Sequence, residues 1–67
     1  MNVRTYLRLL DELDISRFGA GVLFGYSGRT GQRWAVNGPP DEIAALLLLA
    51  DGSRAKLVQF LERARHV

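Results

Sequence analysis

The sequence predicts an α+β fold: a small single domain of order α-β-β-α-α, with an antiparallel two-stranded hairpin packed against three helices. Three observations point that way. Apolar residues repeat with helical spacing near the N-terminus. They alternate with period two on both sides of a glycine-rich bend. Two further apolar segments follow, divided by proline and glycine stops.

The first helix is expected over residues 3–14. Val3, Tyr6, Leu7, Leu10 and Leu13 fall on one face, and Arg4, Arg8, Asp11 and Glu12 lie off it. Arg8 and Glu12 can pair one turn apart, for tenths of a kcal/mol. Asp11, Glu12 and Asp14 oppose the helix dipole, which favours an early end or a partner for these acids.

The hairpin is expected next. Val22, Phe24 and Tyr26 alternate, as do Trp34 and Val36. A three-residue loop of Arg29, Thr30 and Gly31 pairs Gly28 with Gln32 and places the five large apolar residues on one face. Tyr26 then opposes Trp34, and Phe24 opposes Val36. Such a loop asks for a left-handed third residue, and glycine stands there. Asn37, Gly38, Pro39 and Pro40 stop the second strand.

Pro40 suits the first turn of the next helix, and Asp41 and Glu42 suit its positive end. The run from Ile43 to Ala50 is apolar all round, so no solvent face is evident. Asp51, Gly52 and Ser53 break it, with Gly52 as left-handed cap and Ser53 as the following N-cap. The last helix covers residues 54–65, with Leu57, Val58, Phe60, Leu61 and Ala64 inward. Arg63, Arg65 and His66 near its end favour the dipole.

Composition narrows the function. A chain of 67 residues holds one domain and buries little surface. Cysteine is absent and His66 is the one histidine, which excludes a disulfide framework and a zinc site of Cys and His ligands. The longest apolar run is too short to span a bilayer. Acids arrive too early for a signal peptide, so a cytoplasmic location is expected. The net charge is +2, with nine cations against seven acids. Eight arginines and one lysine fit either GC-rich coding or bidentate contact with carboxylate and phosphate.

No constellation of residues indicates catalysis. The glycine-rich bend lacks the lysine of a Walker loop, and a strand is expected after it where that loop needs a helix. Residues 25–28 and 28–31 each match G-x-x-G, a loop that clamps nucleic-acid backbones between two helices, but here the expected neighbours are strands. Asp11, Glu12 and Asp14 read as a solvated helix end rather than an acid–base or cation site. A serine triad would have to use His66, near a chain end. No enzyme activity, cofactor or metal is expected.

Two functions remain open. The leading one is a non-enzymatic protein–protein interaction module, a small regulator, adaptor or inhibitor, acting through surface complementarity as a homodimer. Its interface is expected at Leu46, Leu47, Leu48 and Leu49, because a chain this size has few atoms to cover all sides of that helix. The other is a small nucleic-acid-binding regulator. The last two helices are separated by a short break, as in helix-turn-helix modules. Lys56, Gln59 and Arg63, with His66, form a polar stripe, and Arg29 and Arg33 on the hairpin add phosphate contacts. Trp34 and Tyr26 fit the core better than an interface.

Overall fold

The computed structural model describes the backbone of residues 1–65 and the side chains of residues 1–64. All of the regular structure among these residues is helical. The helices are α1 (Val3–Glu12), α2 (Arg17–Leu23), α3 (Gly28–Asn37), α4 (Asp41–Ala50) and α5 (Arg54–Arg65). The expected α+β class is therefore corrected. The described residues contain no strand, and the β-hairpin segment forms α2, a turn and α3.

Local chemistry explains the change. Ser16 stands in extended conformation before α2, and its side chain accepts from Gly19 N at 2.8 Å. Ser27 does the same for α3, accepting from Thr30 N at 3.2 Å. Each cap satisfies a backbone donor that a helix start leaves unpaired. Between the two helices, Gly25 takes φ 85. Gly25 N donates to Val22 O at 3.1 Å, and Tyr26 N to Gly21 O at 2.8 Å. This pair of bonds is a Schellman closure of α2, and glycine is the residue that adopts its left-handed position without strain. The positive-φ glycine of the bend is thus Gly25, whereas the expected one, Gly31, lies inside α3.

The helices are poor by propensity, since glycine costs about 1 kcal/mol against alanine at each interior position. Packing requires the glycines. A Cβ on Gly21 would lie 2.6 Å from Gly31 N and would meet Ser27 O. A Cβ on Gly31 would lie 2.5 Å from Gly21 N and would meet Arg17 O. The two backbones cross in direct contact, and no larger side chain fits between them. Gly28 is covered by the Phe18 ring, a side chain rather than backbone.

The core gathers on α1 and α4 around this pair. Tyr6, Leu9 and Leu10 are buried from α1, Leu13 from its C-cap, and Ala20 from α2. Trp34 is buried from α3, Ile43, Ala44, Leu47 and Ala50 from α4, and Leu57 from α5. Trp34 is the keystone of the aromatic packing. Its ring meets Tyr26 at 5.2 Å and Phe24 at 6.4 Å, both edge to face. The expected Tyr26–Trp34 neighbours do touch, but from the turn after α2 onto α3. The expected partners Phe24 and Val36 separate, with Val36 exposed and Phe24 partly buried against the core. The five residues thus do not share a face.

The other helices follow their sequence signals more closely. Asn2 caps α1, accepting from Thr5 N at 2.8 Å. That helix ends through Asp14 at φ 56, with Ile15 N donating to Leu10 O at 2.9 Å. Pro40 stands at the N-cap of α4, one residue before the helix. Asp51 and Gly52 take φ 48 and 75, and Ser53 accepts from Lys56 N at 3.3 Å. No described helix is long and apolar enough to cross a membrane.

Two outcomes follow from this packing. Gly31→Ala should lower stability by about 3 kcal/mol, because backbone atoms must move apart. Urea unfolding followed by circular dichroism measures it, and an unchanged midpoint would refute the crossing. The Tyr6 hydroxyl is buried with no hydrogen-bond partner among the described residues, and burial raises its pKa. Tyr6→Phe should therefore keep or raise stability at neutral pH, by up to about 1 kcal/mol. The folded state holds this proton above the pH at which the unfolded chain releases it. Stability must then fall as pH rises past about 10, and fall less in the phenylalanine variant. Equal alkaline profiles for the two proteins would contradict this.

Candidate functional site

Helix α3 is two-sided. Gly28, Gly31 and Trp34 are buried on one side. Arg29, Gln32, Arg33 and Val36 are exposed on the other, with Asn37 at its end. Their spacing of three, four and seven residues places them on one face, over roughly 10 Å of helix. The buried side is set by the crossing with α2, so the outward direction of these four side chains follows from the glycines.

Charge is segregated along the chain. All seven acids lie at or before Asp14, or at or beyond Asp41. The intervening stretch holds Arg17, Arg29 and Arg33 and no acid at all. The α2–α3 pair is thus wholly cationic, while the remainder has six cations against seven acids. In a protein of net charge +2, distribution carries more information than the total.

Arg29 and Arg33, expected on a hairpin, stand one turn apart on α3 and share its exposed face. Lys56, Gln59 and Arg63 are exposed on α5. That helix packs against α4 and, among the described residues, not against α3. The two groups therefore stand on helices that do not pack together. His66, the last member of the α5 stripe and the sole imidazole, lies outside the described residues. Gln32 and Val36 were not distinguished by the sequence, since a strand reading puts both on the inward face of Trp34 and Arg33 on the opposite one. The signal that finds them is Ser27 followed by Gly28, Gly31 and Trp34, small or apolar residues at steps of three behind a capping hydroxyl.

The four leucines of α4 divide. Leu47 is fully buried and Leu46 partly so, whereas Leu48 and Leu49 remain 58% and 63% exposed. Asp11, Glu12 and Asp14 are exposed. Asp14 approaches Arg54 at 4.0 Å, an ion pair open enough to solvent to contribute little.

The G-x-x-G match at residues 25–28 does join two helices, so that ground for setting it aside is corrected. Its residues are otherwise engaged. Ser27 caps α3, and Gly28 is covered by Phe18, which leaves no open backbone cradle at the second glycine.

Neither a protein-family model, nor a curated protein, nor a solved structure matches this chain.

Proposed function

We propose that this is a non-enzymatic chain that binds duplex DNA and presents α3 to the major groove. One observation carries the reading. Two short helices are joined by a turn at residues 24–27 containing a left-handed glycine, and the second helix turns an acid-free polar face outward. Such a pair is the architecture of helix-turn-helix readers, whose second helix lies in the groove while the first crosses the phosphate backbone. Arg17, exposed at the start of α2, suits that crossing role. A major groove about 12 Å wide admits one helix, and the side chains of α3 are of the types that meet base edges and phosphates. The pair is the middle of the chain, not the last two helices. The cytoplasmic location expected from the sequence fits an intracellular DNA target.

The exposure of Leu48 and Leu49 favours a second element, self-association through α4. Few cations line α3, and each phosphate neutralised adds to affinity, so two copies on adjoining half-sites would bind far better than one. The interaction-module reading thus becomes part of the DNA-binding one, with a second copy as partner.

Fluorescence anisotropy with a mixed-sequence duplex tests the first reading. Binding should weaken steeply with salt, and Arg29→Ala or Arg33→Ala should lower the salt slope by about one each. Lys56→Ala and Arg63→Ala should change it less. No binding at low salt, or dependence on the α5 residues alone, would exclude the reading. Sedimentation equilibrium tests the second. The wild type should self-associate, and Leu48→Gln with Leu49→Gln should yield a folded monomer; a monomeric wild type on DNA and off it would remove it.

A further inference from the structure

We infer that Val36 reads the 5-methyl group of a thymine, with Gln32 meeting an adenine one or two base steps away. The inference rests on the DNA-binding reading above and adds the chemistry of the sequence bound.

Val36 is the most exposed of the large hydrophobic residues that stay at the surface, at 75%. It is absent from the core and from the shell packed on the core. Phe18 covers Gly28 and Tyr26 packs on Trp34, Leu48 and Leu49 are consecutive on α4, and Val22 and Val58 are exposed on α2 and α5, each less than Val36. Val36 shares its face with Arg29, Gln32 and Arg33 instead. Helix formation gives no reason for it either, since a β-branched residue is less favourable here than lysine or glutamate.

A lone methyl-bearing side chain amid hydrogen-bonding groups does not fit a protein interface, which needs a contiguous apolar patch. Nor does it fit phosphate, which needs donors. It fits a surface offering single methyl groups among acceptors and donors. The major groove is such a surface, where thymine shows a methyl group beside its O4 acceptor. Gln32, one turn earlier, has the amide that pairs with the N6 and N7 edge of adenine. The two residues are separated by about 6 Å along the helix, between one and two base steps of about 3.4 Å. One A·T-containing segment therefore satisfies both.

The test starts with selection of the preferred duplex from a randomised pool by the full chain. Each thymine of that duplex is then replaced singly by deoxyuridine, which removes only the methyl group. One replacement should weaken wild-type binding about four-fold, the value of one buried carbon. Val36→Ala should bind the thymine duplex as weakly as the wild type binds that deoxyuridine duplex, with no further loss on combining the two. Gln32→Ala should retain the deoxyuridine effect. Circular dichroism checks that the variants fold, and Val36→Thr, similar in shape, serves as a second substitution. Tolerance of every deoxyuridine, additive losses, or a selected site without thymine would overturn the inference. So would general duplex binding with no enriched sequence, which leaves the DNA-binding reading intact. Absence of duplex binding overturns both.

Discussion

The contact between the backbones of Gly21 and Gly31 governs this structure. Two helix axes can approach so closely only where neither carries a side chain. That approach fixes which side of α3 faces inward. It brings Trp34 toward the core and turns Arg29, Gln32, Arg33 and Val36 to the solvent. Short glycine-containing helices would hardly persist alone, because helix nucleation is costly and glycine adds to the cost. Their stability comes from the crossing, the serine caps and the aromatic group around Trp34.

The sequence was legible where one signal spoke without competition. In α1, apolar spacing located Tyr6, Leu10 and Leu13 correctly and overlooked Leu9. The break at Asp51, Gly52 and Ser53 was readable because turn and capping residues occur together there. The middle third misled because two signals compete. Alternation of Val22, Phe24 and Tyr26 resembles a strand, and glycine is disfavoured in helices. Yet two of those three side chains, Val22 and Tyr26, are exposed, so the alternation has no packing basis. What determines the segment is a contact between residues ten apart in sequence, and no local propensity encodes that. Arg29 and Arg33 were singled out by the sequence, but the helix that aligns them with Gln32 and Val36 was not.

The apolar run of α4 illustrates a limit of another kind. Composition shows that the run exceeds what one helical face can bury, but not which members are left outside. The packing of α1 and α5 makes that selection. It takes Ile43, Ala44, Leu47 and Ala50, and leaves Leu48 and Leu49 at the surface.

The glycine crossing has an evolutionary consequence. Residues that hold α2 against α3 and residues that project from α3 form disjoint sets. Exchanging the outward side chains leaves the glycine contact intact, so the exposed face of α3 can change in sequence while foldability is conserved. Robustness and evolvability, often in conflict in small proteins, are here assigned to opposite sides of a single helix.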